Sequence, residues 1–249
     1  MDQKNWLIKA CNLHDEAIRL RHQGQLIQAE KLAKKSLKIF EFTHETEHTD
    51  IASVLVNLGR ILEIRGKLKH AQNAFERATN ILSKLPEMNI DMLRLRVQAI
   101  RDLGAIYRSL GKYEASERAF HLAIQIGESM FGEMDLDLSA IWNNLGMLYK
   151  SLGNYEKAEV YYLKALSIND ALLGEKHLYS AVIYHNLAVL EQARGRFSDG
   201  ERYAWNAVEI RKSELGSDHP EQLAGIELLS ALIDAQRSNG SNISDSSTI

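Results

Sequence analysis

The sequence predicts an all-α solenoid made of five copies of a helical hairpin followed by one further helix. A glycine recurs at intervals of 66−24 = 42, 111−66 = 45, 153−111 = 42 and 195−153 = 42 residues. A fixed stride of this length is typical of stacked repeat units. Small residues recur seven positions before each of these glycines: Ala17, Gly59, Gly104, Gly146 and Ala188. Others recur five positions after it: Ala29, Ala71, Ser116, Ala158 and Gly200.

Each copy is predicted to contain two helices joined at its recurring glycine. The copies span about 4–42, 50–84, 91–130, 136–173 and 178–215, within a solenoid over residues 1–238. Leu13, Ala17 and Leu20 illustrate the apolar stripe at helical spacing that each helix buries. Pro86 lies between the second and third copies. Because proline cannot continue a helix interior, we expect the preceding helix to stop by about residue 84.

The C-terminal region is predicted to cap the stack. A last helix is expected over residues 219–237, with Asp218 or His219 as its N-cap and Pro220 in its first turn, where a missing backbone N–H costs nothing. Its apolar residues are expected to face the preceding repeat: Leu223, Ile226, Leu229 and Ile233. The Ser- and Asn-rich stretch 239–249 is expected to be a disordered tail.

This pattern resembles the tetratricopeptide repeat (TPR). The L-G-x-x-Y motif of Leu145–Tyr149 matches the consensus, as does the small–aromatic–small run Ala158, Tyr162 and Ala165. The interval of 42 residues is similar to that of the longer-helix variety found in kinesin light chains and bacterial relatives. The resemblance implies a right-handed superhelix whose first helices line a concave groove. It also implies a non-enzymatic scaffold or adaptor for other proteins.

Composition narrows the function classes. The net charge of −3 gives no general attraction to nucleic acid or to an anionic membrane. A single cysteine excludes an intrachain disulfide framework. We find no signal-peptide pattern and no apolar run long enough to cross a bilayer, and we therefore expect a cytoplasmic protein.

One stretch matches a metalloprotease motif. His44–Glu–Thr–Glu–His48 fits H-E-x-x-H, in which two histidines one helical turn apart bind zinc. It falls in a predicted junction rather than in a helix, and no third ligand is evident. His48, His177 and His219 stand at equivalent junction positions, so we favour histidines that cap or pack. A metalloprotein using His44 and His48 is retained as an alternative; otherwise we expect no cofactor and no catalytic residues.

Residues of the first helices that are not needed for packing predict a binding site. We call Ala17, Gly59, Gly104, Gly146 and Ala188 the small column. Asparagine recurs two positions before this column, and its amide can both donate to and accept from a peptide backbone. Arginine and lysine add positive charge, which favours an extended acidic segment of a protein partner. The predicted peptide-binding residues are Asn57, Arg60, Arg101, Arg108, Asn143, Asn144, Lys150, His185 and Asn186. A second alternative is a ligand-gated, peptide-sensing regulator built on similar repeats.

Overall fold

A computed structural model describes residues 3–43, 48–86 and 88–245. The regular structure in these ranges is α-helical throughout. The eleven helices found there are α1 (Gln3–His22), α2 (Leu26–Thr43), α3 (Thr49–Ile64), α4 (Leu68–Lys84), α5 (Ile90–Ser109), α6 (Tyr113–Phe131), α7 (Leu136–Ser151), α8 (Tyr155–Leu173), α9 (Leu178–Ala193), α10 (Phe197–Leu215) and α11 (Pro220–Asp245). The predicted all-α class is confirmed. The first ten helices form five pairs, and the outer ends of each pair agree with the predicted span of that copy to within one residue.

The recurring glycines form the turns within the helix pairs. Gly24, Gly66, Gly111, Gly153 and Gly195 all have φ between 71° and 74°, a left-handed conformation that glycine adopts without steric cost. In the first pair, the backbone N–H of Gln25 donates to the carbonyl of Leu20 at 2.9 Å. The glycine therefore ends one helix, satisfies its last carbonyls and reverses the chain.

The small residues of the first helices provide room for side chains of the second helices. A Cβ built on Gly59 would lie 2.7 Å from the ring of Phe75, and one built on Gly146 would lie 2.5 Å from the ring of Tyr162. Gly104 meets Phe120 in the same way, at 2.7 Å. Real Cβ atoms do not approach other atoms so closely. These glycines therefore allow three buried aromatic rings to lie directly on a helix backbone.

The alanines of this column have smaller partners. The aromatic rings stand sixteen positions after the glycines, and Ala33 and Ala204 occupy the equivalent positions opposite Ala17 and Ala188. All four alanines are almost completely buried. An aromatic residue thus stands sixteen positions after each glycine of this column, and an alanine stands sixteen positions after each of its two alanines.

The chain divides into two compact units. Unit 1 is Met1–Gly132 and contains α1 to α6, whereas unit 2 is Glu133–Ile249 and contains α7 to α11. Within each unit, consecutive helices pack on one another, and every first helix also touches the next first helix. Phe40, Ile51 and Phe75 belong to the core of unit 1. That residues 1–238 act as one solenoid domain stays a prediction.

Helix α11 corrects the prediction for the C-terminal region. Leu223 and Ile226 are 49% and 44% exposed instead of facing inward, because α11 turns Gln222, Gly225 and Leu232 toward its neighbours. The helix also continues to Asp245, past the predicted end at about residue 237. Since no proline interrupts this stretch and one glycine costs a helix only about 1 kcal/mol, it continues where a disordered tail was expected. Residues 246–249 of that tail lie outside the described residues.

Candidate functional site

The predicted site residues lie on one recurring surface, the first-helix face. We define it by the residues flanking the small column on the first helix of each pair. In unit 1 it holds four of the predicted residues: Asn57, Arg60, Arg101 and Arg108. In unit 2 it holds the other five: Asn143, Asn144, Lys150, His185 and Asn186. We describe each unit separately.

Two of the arginines in unit 1 share one carboxylate. The Nε atom of Arg60 donates to Oδ2 of Asp102 at 2.6 Å, and Nη2 of Arg101 donates to Oδ1 of the same residue at 2.8 Å. Asp102 itself is 8% exposed. A buried carboxylate between two guanidinium groups is held by charge-assisted hydrogen bonds. Arg60 and Arg101 are consequently positioned by Asp102 and only partly neutralised by it.

Further charges surround this pair. Burial and the charge of Asp102 raise the pKa of Glu63, whereas Arg108, Arg60 and Arg101 oppose that rise. Arg21, which the prediction omitted, belongs to the same cluster, because burial and the charge of Arg60 lower its pKa. The cluster contains four cationic side chains (Arg21, Arg60, Arg101 and Arg108) and two carboxylates (Glu63 and Asp102).

Asn57 lies beside this cluster on α3, one helical turn before Arg60. It is 4% exposed, and neither its Oδ1 nor its Nδ2 has a hydrogen-bond partner within the described part of the chain. Buried polar groups are normally paired, and each unpaired one costs about 1–3 kcal/mol. Nε of Arg108 is likewise buried without an acceptor among the residues described. Unit 1 thus presents unused hydrogen-bonding capacity next to positive charge.

The first-helix face of unit 2 is richer in amides. Nδ2 of Asn186 donates to Oδ1 of Asn143 at 2.9 Å, and Nδ2 of Asn143 lies 4.0 Å from the sulfur of Met147. Asn144 is half-buried. The Asn143–Asn186 pair joins α7 to α9, so two of the predicted asparagines contact each other instead of standing apart.

His185 in unit 2 lies near the predicted residue Lys150 and near two charges that the prediction did not include, Arg211 and Glu221. Burial lowers its pKa, and the positive charges of Arg211 and Lys150 lower it further, whereas Glu221 raises it. Arg211 extends from α10 and is only 5% exposed. One signal in the sequence could have identified it. The position sixteen residues after the turn glycine is occupied elsewhere by Phe40, Leu82, Gly127 and Asn169, so a charged residue there departs from the repeat.

The junction histidines act as helix caps. Nδ1 of His48 accepts a hydrogen bond from the backbone N–H of Asp50 at 3.2 Å, and His177 accepts one from Tyr179 at 3.1 Å. His219 accepts one from the residue two positions later, at 3.3 Å. A side chain that accepts from the second residue after it satisfies one of the free N–H groups at a helix start. The favoured interpretation is confirmed for all three, whereas His44 lies outside the described residues.

Residues 3–43, 48–86 and 88–245 contain no group of three or more His, Cys, Asp or Glu side chains placed to hold a metal ion. None of their helices combines the length and the apolarity needed to cross a membrane.

Comparison with known proteins identifies the family. The family model described as Tetratricopeptide repeat matches residues 9–84, 95–170 and 137–204. No curated protein matches the chain. Among solved structures, BtubC (BKLC) from P. vanneervenii is similar, with a TM-score of 0.66 and 20% identity over 95% of this chain and 85% of that one.

Two further structures have the same fold. A putative kinesin light chain of Podosopora anserina with nearly identical TPR-like repeats gives a TM-score of 0.67 at 19% identity, over 86% of this chain and 98% of that one. The apo form of RapI gives 0.62 at 17% identity, over 94% of this chain and 85% of that one. Since the repeat model matches more than half of the sequence, the chain belongs to the tetratricopeptide repeat family.

Proposed function

We propose that this protein is a non-enzymatic interaction module that binds an extended, acidic peptide segment on its first-helix face. Its tetratricopeptide repeats support the general role of a protein–protein interaction scaffold. The preference for an extended and acidic partner goes beyond that general role and rests on residues of unit 1.

The observation that carries the proposal is the unsatisfied amide of Asn57. Its donor and its acceptor are both buried and both unpaired in the described structure. An extended peptide backbone presents an N–H and a C=O at each residue, so one peptide unit can satisfy both atoms once the side chains that cover Asn57 move aside. Because the cost of leaving them unpaired is present in the free protein, binding would recover it.

The charge of the surrounding cluster supports an acidic partner. Four guanidinium groups are set against two carboxylates in this cluster, and Arg60 and Arg101 both contact Asp102. A partly buried surplus of arginine attracts carboxylates more strongly than an exposed one, because water screens it less.

Fluorescence anisotropy with a labelled peptide of alternating glutamate and serine tests the proposal. We expect the wild-type protein to bind it, and to bind the corresponding lysine–serine peptide at least about tenfold more weakly. Arg108→Gln should weaken binding of the glutamate peptide. Asn57→Leu should weaken binding about tenfold while leaving the melting temperature unchanged or higher, because it removes two buried unpaired atoms.

Asn73→Leu is the matched control, since Asn73 is an exposed asparagine on α4 of the same unit. It should bind the glutamate peptide like the wild type. The proposal fails if the two peptides bind equally well. It also fails if Asn57→Leu and Arg108→Gln bind like the control.

A further inference from the structure

Arg211 in unit 2 occupies a position that is buried in every repeat. The four equivalent residues are uncharged, and Phe40, Leu82 and Asn169 among them are at most 2% exposed. The side chain of Arg211 is 7% exposed. A guanidinium group removed from water to this extent costs several kcal/mol unless it is paired with an anion and hydrogen-bonded.

A second departure from the repeat makes room for this side chain. Gly225 lies on α11 at a position where α3, α5, α7 and α9 carry Val54, Ala99, Ile141 and Ile183, and where α1 carries the exposed Asn12. A Cβ on Gly225 would lie 3.3 Å from Nη1 of Arg211 and 3.2 Å from Val208. The absence of a side chain at Gly225 on α11 therefore leaves room for the guanidinium group of Arg211 on α10.

The polar groups around Arg211 do not satisfy one another. Its Nε has no acceptor among the residues that the structure describes. The carboxylate of Glu221 is 3.8 Å away, beyond hydrogen-bonding distance, on a side chain that is 59% exposed. Oε1 of Gln222, a residue 1% exposed, and Nδ1 of His185 are also buried without partners in the described chain. Two buried side chains, Arg211 and Gln222, and the half-buried His185 thus lie on α10, α11 and α9 with unused hydrogen-bonding atoms.

We propose that Arg211 and His185 form a carboxylate-binding site between α9, α10 and α11. An incoming carboxylate would accept from the guanidinium group of Arg211 and from the imidazole of His185. The natural source of that carboxylate is the acidic peptide of the proposed function, on which this step rests. Either an acidic side chain or a chain terminus of the peptide supplies the same group.

The charges facing His185 set the direction of the pH dependence. Arg211 on α10 and Lys150 on α7 oppose its protonation, and Glu221 on α11 favours it. A bound carboxylate would add a negative charge and offset the two cations, so His185 would take up a proton on binding. By linkage, carboxylate affinity should rise as the pH falls through the titration of His185.

Titration of the His185 imidazole by NMR tests the site with acetate as the probe. The signal is assigned by its loss in His185→Gln. In the wild type, sodium acetate should raise the pKa of His185 by about one pH unit relative to equimolar sodium chloride. Arg211→Met should abolish this acetate response, and Gly225→Ala should weaken it by displacing the guanidinium group. Arg202→Met, an exposed arginine on the same helix, should respond like the wild type.

The inference is wrong if acetate and chloride act alike on the wild type, or if Gly225→Ala and Arg211→Met both keep the full response. Glutamate–serine peptides with a free or an amidated C-terminus identify the source of the carboxylate. Equal loss of affinity for both peptides in Gly225→Ala indicates an acidic side chain, and loss for the free acid alone indicates the terminus. Peptide binding without an acetate response overturns only this inference. An acetate response without peptide binding overturns the proposed function and leaves the anion site.

Discussion

A buried ion cluster lies at the first junction between repeats in each unit, and the central groups of the two clusters, Glu30 and Arg194, have opposite charge. In unit 1, Glu30 is 5% exposed and accepts hydrogen bonds from Lys34 at 2.6 Å, from Lys67 at 3.0 Å and from Arg65. One carboxylate is surrounded by three cations. Burial raises the pKa of Glu30, but the hydrogen bonds from Lys34 and Lys67 outweigh this and lower it to about 2.

In unit 2 the central group is a guanidinium. The side chain of Arg194 is 6% exposed, and its Nη1 donates to Glu159 at 2.6 Å and to Glu191 at 2.7 Å. Glu156 lies 3.7 Å from its Nη2. Burial lowers the pKa of Arg194, yet the hydrogen bonds to Glu159 and Glu191 raise it overall. Here three carboxylates surround Arg194, and a second cation, Arg196, lies 3.8 Å from Glu191.

The shared positions show what the repeat fixes. Glu30 and Glu159 each follow a turn glycine by six residues, and Arg65 and Arg194 each precede the next turn glycine directly. The fold therefore brings these two positions together in both units. Lys67 and Arg196 each follow a turn glycine directly and add a cation to both clusters. The remaining charges, Lys34 in one cluster and Glu156 and Glu191 in the other, differ. Packing is common to the two units, and charge distinguishes them.

The largest predicted effect concerns the shared packing. Gly146→Leu in unit 2 should lower the free energy of unfolding by about 3 kcal/mol or more, because a Cβ there already collides with the ring of Tyr162 at 2.5 Å. Gly104→Leu in unit 1 should behave similarly against Phe120. Urea titrations followed by circular dichroism measure both.

Ser151→Leu is the control, since Ser151 is an exposed residue on the same helix as Gly146. It should change stability by less than about 0.5 kcal/mol. Gly146→Ala should cost less than Gly146→Leu. If Gly146→Leu and Ser151→Leu are equally stable, the glycine column does not serve helix packing.

The sequence predicted the scaffold well because its signals are local or periodic. The helix bounds follow from the stride of the turn glycines and from apolar spacing, and His48 and His177 could be predicted as caps from their repeated place. The residue against which each small residue packs was harder to predict. That Gly59 lies against the ring of Phe75 depends on how two helices pack together, and the column of small residues alone does not reveal it.

The candidate site was predictable only in part, because pairing depends on tertiary distance. Arg60 and Arg101 were predicted as binding residues, yet their shared contact with Asp102 is visible only when α3 and α5 pack together. Arg211 lies on a second helix, outside the columns from which the site was predicted. Leu223 was assigned to the core because apolar periodicity cannot tell which of two adjacent stripes on α11 is buried.

The second prediction removes the centre of the unit 2 cluster. Arg194→Met should lower the free energy of unfolding by about 3 kcal/mol, because it leaves Glu191, 2% exposed, without its closest cation. Adding Glu191→Gln to this variant should restore part of the loss by removing the buried charge. Arg202→Met, on an exposed ion pair, should have little effect. A double variant less stable than Arg194→Met would contradict this account.

The smallest effect is a pH dependence of unit 1 that comes from Glu30. Its pKa in the folded protein, about 2, lies below the ordinary value of 4.5, so its ion pairs stabilise the fold above about pH 4.5 and are lost as the pH falls toward 2. The wild type should exceed Glu30→Gln in free energy of unfolding by about 2 kcal/mol at neutral pH, since water screens the half-exposed lysines.

Unfolding by urea at a series of pH values should show this difference shrinking between pH 4.5 and 2. Glu16→Gln is the matched control, because Glu16 pairs with Arg19 on the exposed surface of α1. It should stay close to the wild type at every pH. A difference between wild type and Glu30→Gln that stays constant across the acid range would mean that the carboxylate of Glu30 is not held ionised by its three cations.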